Sequence, residues 1–442
     1  MSRIYIKDLA GFVGKEVMVC AWVDVRRDQG KMIFLDLRDV TGKVQAVVLP
    51  SHLEALTVAQ RLRTEWVVSV KAVVNKRPER NIKADILNGD IELEVLNIDV
   101  LSEAIDIPFE LGTETNLDTY LDYLPFTLRD EKHKSIFRVQ STILKAFREF
   151  LISQSFTEFQ APKLIGEDAE GGANSFDLEY FGHTAHLAQS PQFYKQIMVG
   201  VFERVFTTGN VYRAEKHATS RHLNEYTSLD FEMGFIKDHT DIIKMETELL
   251  RHIISVLKKE CAKDFELLNA TFPELPENVP VMKLREAQQI IQKEYGEDCS
   301  KEPDLEPQHE RWLCEYAKKT YGSDFIFITH FPMSKRPMCT HEDENDLGYA
   351  KGFDLLFRGV EITTGGQRVH DYNTLVKAME NKGLDPHQFR YYLQAFKFGM
   401  PPHGGLGLGL ERITAKFLGI ENVKEAALFP RDINRIDNLL SL

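Results

Sequence analysis

Five short runs rich in β-branched residues, all within the first 103 residues, restrict this part of the chain to a small β fold. Apolar residues at helical spacing lie over 53–63, between the third and fourth runs. This is the element order of the five-stranded OB barrel, which commonly binds oligonucleotides. A small barrel without a ligand fits equally well, so the strands alone leave nucleic-acid binding open. The runs are Val17–Val25, Met32–Arg38, Val44–Leu49, Trp66–Val74 and Ile91–Leu101.

The rest of the chain follows a different pattern. Residues 104–130 carry Pro108, Gly112 and Pro125 among mixed polar residues, as is typical of a linker. Residues 131–154 place their apolar side chains on one helical face, and the strands and helices beyond mix without the regular alternation of a parallel α/β sheet. We therefore predict an α+β protein with a barrel domain over 1–103, a linker over 104–130 and a larger domain over 131–442, built on an antiparallel sheet flanked by helices.

Composition limits where such a chain works and what it touches. The formal charge is −13, yet residues 1–103 hold 15 basic and 15 acidic side chains, so the acid excess lies in the larger part. A neutral small domain suits local nucleic-acid contact better than wrapping. Long apolar runs and C-x-x-C spacings are lacking among the 442 residues, and the five cysteines are scattered. We expect a cytoplasmic protein without a membrane span or structural zinc.

Residues 211–233 predict a strand, a polar loop and a returning strand that carry unusual charges. Arg213 and Glu215 lie two apart and therefore share one face. An arginine there can hold a phosphate through two N–H groups, while a carboxylate can accept from adenine's amine. Tyr226 could stack on a base, and Asp230 and Glu232 again share a face. A hairpin with cross-strand ion pairs is the simpler alternative.

Two further segments place charge inside β-like runs. Residues 403–412 alternate glycine with other residues and end at Arg412, which leaves one strand face bare for a flat ligand unless the segment is only a glycine-rich hairpin. Residues 353–371 contain Asp354 and Glu361, acids that are costly to bury without a cation. Mg²⁺ prefers such ligands and bridges nucleotide phosphates. Exposed acids on a sheet edge remain the alternative.

Together these segments resemble the signature motifs of class II aminoacyl-tRNA synthetases, in the right order. Residues 156–162 resemble motif 1, Tyr212–Asp230 motif 2 and Gly405–Arg412 motif 3. Within the class, residues 188–196, 221–230 and 428–432 resemble the short, archaeal-like form of the aspartyl-tRNA synthetases, over nearly the whole chain. The resemblance implies an anticodon-binding OB domain that uses Phe34 and Gln45, a class II catalytic domain, and a homodimer formed through motif 1.

The same resemblance implies ATP and Mg²⁺ as the nucleotide and its metal. Arg213 and Arg412 are the expected catalytic residues, on the α-phosphate and γ-phosphate respectively, and Asp354 and Glu361 are the expected metal ligands. The residues that the resemblance assigns to ATP are Arg213, Glu215, Arg221, His222, Tyr226, Glu361, Gly409 and Arg412.

For the amino acid, the resemblance implies L-aspartate. Lys195 and Arg368 are expected to bind its side-chain carboxylate, because two cations left unpaired by asparagine reject the neutral amide. The residues assigned to aspartate are Glu170, Gln192, Lys195, Asp230, Thr364 and Arg368, with Glu170 in a loop over 166–174 that closes over the substrate.

Two alternatives stay open. Asparaginyl-tRNA synthetases share motifs 1 and 3 but depart from the residues at 215–217 and 226–228, and a non-catalytic RNA-binding relative often loses a motif arginine, whereas Arg213, Arg368 and Arg412 are all present. The segment 363–367 resembles bacterial archaeal-like forms, some of which charge two tRNAs. We therefore predict tRNA-Asp as the partner and tRNA-Asn as a second acceptor.

Overall fold

The computed structural model describes residues 2–84, 86–166 and 175–440. The chain forms two compact units, Met1–Glu110 and Leu111–Leu442. Its five cysteines all carry free thiols. Among the described helices, none combines the length and the apolar character needed to cross a lipid bilayer.

The first unit is a closed five-stranded barrel in the order β1-β2-β3-β5-β4. Neighbouring strands are antiparallel except β3 and β5, which are parallel. The predicted OB barrel is confirmed, including the helix between the third and fourth strands. The elements are β1 Glu16–Asp28, β2 Ile33–Asp39, β3 Gly42–Val48, α1 Leu53–Arg61, β4 Val67–Lys76 and β5 Ile91–Ser102, with 3-10 helices Ile6–Phe12 and Glu79–Asn81.

Alternation along each strand builds the barrel core. In β1, Val17, Val19, Ala21 and Val23 are at most 1% exposed, while the residues between them point outward. β-branched side chains favour this arrangement because they pack well on a pleated surface. The outward faces of β2 and β3 are consequently available for other contacts.

The second unit is organised around an eight-stranded sheet in the order β12-β13-β14-β15-β16-β11-β10-β6 and a separate three-stranded sheet, β7-β9-β8. Its helices are α2 Leu117–Asp122, α3 Leu124–Thr127, α4 Glu131–Ser153, α5 Gln192–Phe202, α6 His239–Glu260, α7 Ala262–Leu267, α8 Leu284–Tyr295, α9 Pro307–Tyr321, α10 Tyr372–Asn381, α11 Arg390–Lys397 and α12 Leu410–Leu418, with 3-10 helices Met333–Lys335 and Val423–Ala426. Its strands are β6 Thr157–Glu158, β7 Leu164–Ile165, β8 Asp177–Tyr180, β9 His183–Leu187, β10 Arg204–Tyr212, β11 Glu225–Gly234, β12 Val281–Lys283, β13 Phe325–Thr329, β14 Gly352–Phe357, β15 Val360–Arg368 and β16 His403–Gly409.

The large sheet is antiparallel at its centre and parallel at its two edges. All neighbours from β13 to β10 are antiparallel, whereas β12 pairs with β13 and β6 with β10 in parallel. The edges therefore differ from the predicted antiparallel sheet. The reason at one edge is the connection, because α8 and α9 lie between β12 and β13, and such a helical crossover returns the chain in the same direction.

The segment expected to be a linker contains two short helices, α2 and α3. Tyr120, Leu121 and Leu124 are buried there, and the Asn116 side chain accepts a hydrogen bond of 2.8 Å from the Thr119 amide to cap α2. Apolar residues at helical spacing explain these two helices. The sequence pattern did not predict them, because the nearby prolines and glycine are typical of a linker.

Candidate active site

One cavity of the second unit, where β11, β15 and β16 meet α5 and α12, collects residues that are far apart in sequence. All the residues predicted from sequence for nucleotide and amino-acid binding line it, except Glu170, which lies outside the described residues. Those residues are Gln192, Lys195, Arg213, Glu215, Arg221, His222, Tyr226, Asp230, Glu361, Thr364, Arg368, Gly409 and Arg412. Arg213, Arg368 and Arg412 thus face a single site.

Strand register explains the alternate glycines at the floor of the cavity. Asp230 of β11 lies opposite Gly407 of β16, and Gly407 lies opposite Thr364 of β15. A β-carbon at Gly405 would lie 2.2 Å from a carboxylate oxygen of Glu232, and one at Gly407 would lie 3.0 Å from Asp230. The glycines therefore make room for carboxylates as well as leaving the strand face bare.

At one end of the cavity, here called the nucleotide end, arginines are half-buried. Arg412 donates through Nη1 to the Glu361 carbonyl at 3.0 Å, and Arg221 forms an ion pair with Glu310. The Arg213 guanidinium lies 5.8 Å from the centre of the Tyr226 ring. This end presents cations and an aromatic face to the same space, which suits a purine triphosphate.

His222 also lines the nucleotide end. Its Nδ1 lies 2.7 Å from the Thr219 hydroxyl oxygen. Burial, together with the charge of Arg412, lowers the pKa of His222. The lowered pKa favours the neutral imidazole, which can offer a hydrogen bond to a ligand.

At the other end, here called the amino-acid end, charges are buried and paired. Lys195 is 1% exposed and lies 3.1 Å from Asp230, 3.3 Å from Glu232 and 2.9 Å from the Leu406 carbonyl oxygen. Arg368 donates through Nε to Glu232 at 3.0 Å. Two cations and two carboxylates therefore form one buried network at the base of the cavity.

Glu232 is the member of this network to which the sequence pattern assigned no role. It is fully buried, and it forms ion pairs with both Lys195 and Arg368. Burial alone would raise its pKa, but the charges of Arg368 and Lys195 outweigh burial and hold the pKa below the usual value. The feature of the sequence that points to a role for Glu232 is its position two residues after Asp230, on the same strand face.

The two predicted metal ligands are in different surroundings. Glu361 lines the cavity and accepts a 2.8 Å hydrogen bond from the Thr364 hydroxyl. Asp354 does not line it and instead accepts two hydrogen bonds, of 2.9 and 2.8 Å, from Arg336. Burial raises the pKa of Asp354 to about 7, and Arg336 opposes that rise. Asp354, one of the two predicted metal ligands, is therefore paired with an arginine, because a buried carboxylate needs a cation.

Within the described residues, no cluster of three or more His, Cys, Asp or Glu side chains could hold a metal ion. Glu361 and the Thr364 hydroxyl are oxygen donors of the kind that Mg²⁺ accepts. Mg²⁺ commonly uses one or two carboxylates, with substrate phosphates and water as its other ligands. The cavity therefore fits a metal that arrives with a nucleotide better than a resident ion.

In the first unit, Phe34 and Gln45 lie on the outer face of β2 and β3. Asp36 is opposite Gln45 in the strand register, so Phe34 and Gln45 are diagonal neighbours. Both are partly exposed, and Arg27, opposite Phe34, forms a two-bond ion pair with Asp36 at 2.7 and 2.8 Å. An aromatic ring, an amide and an arginine on one face of an OB barrel suit stacking and base-edge contacts with single-stranded nucleic acid.

Comparisons with known proteins agree with this division. The family model described as tRNA synthetases class II (D, K and N) matches residues 116–433, and that of the OB-fold nucleic acid binding domain matches residues 17–101. The chain is 44% identical to the aspartate–tRNA(Asp/Asn) ligase of Deinococcus radiodurans over 99% of both proteins. It is 43% identical to the Thermus thermophilus protein of the same name, over 98% of this chain and 99% of that one.

A solved structure is similar over the same extent. The asparaginyl-tRNA synthetase of Pyrococcus horikoshii, complexed with asparaginyl-adenylate, matches with a TM-score of 0.91 and 31% identity, covering 99% of both chains. The same fold therefore occurs in an asparaginyl-tRNA synthetase, and the choice between aspartate and asparagine has to be argued from side chains.

Proposed function

Because this chain belongs to the class II tRNA synthetases of the D, K and N family, we propose that it is an aspartate–tRNA ligase. It activates L-aspartate with ATP and transfers the aspartyl group to the 3′ end of tRNA-Asp. The observation that carries the proposal is the single cavity in which Lys195 and Arg368 lie at one end and Arg213 and Arg412 at the other. One end suits a carboxylate side chain and the other a triphosphate.

Adenylation requires two anions to meet. An oxygen of the aspartate α-carboxylate attacks the α-phosphorus, the bond to the bridging oxygen breaks, and its electron pair leaves with pyrophosphate. Arg213 binds the α-phosphate and the attacking carboxylate, and Arg412 binds the γ-phosphate, so that their charges offset the repulsion. Glu215 accepts from the adenine amine, and Tyr226 stacks on the ring. A tRNA ribose hydroxyl then attacks the activated carbonyl carbon, and AMP leaves.

Aspartate is selected by exchange within the buried network. The substrate ammonium takes the place of Lys195 at Asp230, and Lys195 with Arg368 then receives the side-chain carboxylate. Lys195 and Asp230 are already 3.1 Å apart, so aspartate replaces one buried ion pair with two. Asparagine would break the same pair and leave Lys195 facing a neutral amide, which is the costly outcome for a buried charge. Gln192 and Glu170 complete the amino-acid site.

Glu361 would hold a Mg²⁺ ion that is bound together with the nucleotide. The Thr364 hydroxyl donates to the Glu361 carboxylate and would orient it, and Asp354 holds Arg336 in the lining of the same cavity. When bound, Mg²⁺ supplies positive charge to the phosphate oxygens. Glu361 keeps its carboxylate in the cavity because its own amide N–H is held by Glu310 at 2.9 Å.

The barrel reads the anticodon. Phe34 stacks on an anticodon base, and Gln45 donates to and accepts from a base edge. A Phe34→Ala variant tests this: kcat/KM for tRNA falls about tenfold, because stacking contributes roughly 1–3 kcal/mol per base, while pyrophosphate exchange without tRNA is unchanged. Equal charging by both proteins would exclude the contact.

We also propose that tRNA-Asn is charged. The support is the name aspartate–tRNA(Asp/Asn) ligase carried by the relatives at 44% and 43% identity. Purified transcripts of the two tRNAs, each supplied with aspartate, settle this point. Lack of aspartyl-tRNA-Asn would restrict the enzyme to tRNA-Asp and leave the main proposal intact.

The assembly and location belong to the same proposal. The enzyme acts as a homodimer, since the motif 1 segment contains the short edge strand β6, and it acts in the cytoplasm, where free thiols persist. Light scattering of the full chain measures the dimer, and a monomer that charges tRNA at the full rate would exclude it.

The deciding experiment is amino-acid-dependent exchange of pyrophosphate into ATP. Aspartate supports exchange, and asparagine supports it at least about 10³-fold less well, because rejection leaves buried charges unpaired. Dependence on asparagine would favour asparagine–tRNA ligase, the function of the similar Pyrococcus horikoshii structure. Absence of exchange with any amino acid would favour a non-catalytic RNA-binding role.

A further inference from the structure

A second cavity lies directly behind the nucleotide end of the first. The two share Arg221, Arg412 and Val423 as lining residues. It is bounded on another side by the turn between β14 and β15, at Gly359. We call it the basic side cavity. The two shared arginines therefore border both cavities.

The charge of the basic side cavity is opposite to that of the chain. Five cationic side chains line it, against one carboxylate, whereas the protein as a whole has a formal charge of −13. The cations are Arg221, Arg311, Arg358, Arg412 and Lys416, and the carboxylate is Glu421. A concave site of one sign concentrates ions of the other sign.

The arginines have structural partners that hold them in place, and Arg358 also lies 3.6 Å from the Asp324 carboxylate. Arg358 donates to the carbonyl oxygens of Lys416 and Thr271, each at 3.0 Å, and Arg221 is paired with Glu310. Gly359 is required in this wall, since its φ is +82° and a β-carbon there would lie 2.9 Å from the Arg311 side chain. The cavity is therefore built by fixed groups.

Lys416 is the cation that lacks a partner. It lies four residues after Arg412, on the same face of α12, so the two charges lead from one cavity into the other. Its ammonium has no hydrogen bond or ion pair with any described residue, although the side chain is half-buried. Burial and the charge of Arg221 lower its pKa, and the charges of Glu421 and Glu310 offset this only in part. An anion between Lys416 and Arg221 would offset both the burial of the ammonium and its repulsion by the guanidinium.

We propose that the basic side cavity is a subsite for inorganic pyrophosphate, the leaving group of the adenylation step. The inference rests on the proposed function and adds the destination of its product. As the bond to the bridging oxygen breaks, the released anion moves from Arg221 and Arg412 towards Lys416. Lys416 therefore contacts pyrophosphate after release and does not contact ATP.

The test is the pyrophosphate dependence of aspartate-dependent exchange in the full chain, at constant ionic strength. In Lys416→Gln the apparent KM for pyrophosphate rises about tenfold, the effect of losing one charge-assisted contact, and the KM for ATP stays within about twofold. Lys377→Gln is the matched control, because Lys377 is an exposed lysine on α10, away from both cavities. It behaves as the wild type.

Other outcomes separate the two proposals. An unchanged KM for pyrophosphate in Lys416→Gln, with exchange intact, overturns the subsite and leaves the ligase assignment in place. An equal rise in the KM for ATP and for pyrophosphate also overturns it, since Lys416 would then act on the bound nucleotide. No aspartate-dependent exchange in the wild type overturns the ligase assignment itself.

A second variant covers the case in which Lys416→Gln fails to fold. Arg311→Gln changes an exposed side chain at the rim of the same cavity. The apparent KM for pyrophosphate rises about threefold, because a partly solvated charge contributes less than a half-buried one. A wild-type value in a folded Arg311→Gln protein counts against the subsite.

Discussion

The two ends of the catalytic cavity hold charge in different ways. At the amino-acid end, Lys195, Asp230, Glu232 and Arg368 are at most 6% exposed and form ion pairs with one another. At the nucleotide end, the arginines are half-buried: Arg221 is paired with Glu310, whereas Arg412 donates to main-chain carbonyl oxygens. A main-chain carbonyl orients a guanidinium without neutralising it. One end is therefore arranged to discriminate, and the other to keep positive charge for a ligand.

The difference also separates two kinds of buried acid. Glu232 and Glu246 are both 0% exposed. Pairing with two cations holds the pKa of Glu232 below its usual value, whereas burial raises the pKa of Glu246, behind β15, to about 8, with Thr363 opposing in part. Burial alone makes a carboxyl group neutral, and only the paired one contributes charge to the site.

Removing the central cation of the amino-acid end has the largest expected effect. In Lys195→Met, Asp230 and Glu232 lose their shared ammonium, so kcat/KM for aspartate falls by at least about 10³ and unfolding costs about 3–5 kcal/mol less. Pyrophosphate exchange and denaturant unfolding measure the two effects, with Lys377→Met as the control. Exchange within tenfold of the wild type would mean that the network does not select the substrate.

The nucleotide end responds to geometry more than to charge. Arg412→Lys keeps the positive charge but loses the planar fork, so kcat/KM for ATP falls about 10²-fold while the KM for aspartate stays within about twofold. Steady-state exchange kinetics separate the two constants. Arg61→Lys, at an exposed position of the barrel, serves as the control. A parallel loss for aspartate would erase the distinction between the two ends.

A smaller change tests whether Glu232 positions the two cations. Glu232→Gln keeps the shape but leaves Lys195 and Arg368 without their common carboxylate, so the ratio of kcat/KM for aspartate over asparagine falls about tenfold. Parallel exchange assays with the two amino acids give the ratio. A lower melting temperature with an unchanged ratio would assign Glu232 a structural role only.

The smallest expected effect concerns pH and Glu246. Because its folded pKa of about 8 lies above the usual value, the folded state retains a proton that the unfolded state loses, and stability falls as pH rises from about 4.5 to about 8. The Glu246→Gln variant has no carboxyl group to titrate at this position. Its free energy of unfolding, compared with that of the wild type, therefore increases by about 1 kcal/mol between pH 6 and pH 7. Denaturant titrations at the two pH values measure it, and parallel curves would contradict it.

Local patterns predicted much of this molecule. The β-branched runs and the intervening helix predicted the barrel, because alternation and spacing are local properties. Charges inside strands, together with the motif resemblance, predicted thirteen of the residues that line the cavity. The sequence pattern did not predict the helices α2 and α3, because Pro108, Gly112 and Pro125 are typical of a linker and lie close to the apolar residues around Tyr120.

Side-chain pairing was less predictable. Asp354 is predicted to share a metal ion with Glu361, and the structure adds Arg336 as its hydrogen-bond partner, eighteen positions away and outside any recognised motif. Glu232 was noted on the same face as Asp230, yet its two cations come from α5 and β15, which only the folded sheet brings together.

The amino-acid sequence by itself determined the barrel, the α+β class, the family and thirteen of the residues that line the cavity, since these depend on spacing and residue type along the chain. Tertiary structure alone decided which charges neutralise one another and which remain available to a ligand. Pairing energies depend on distance and burial between residues that are far apart in sequence, such as Glu232 and Arg368, and no local pattern encodes them.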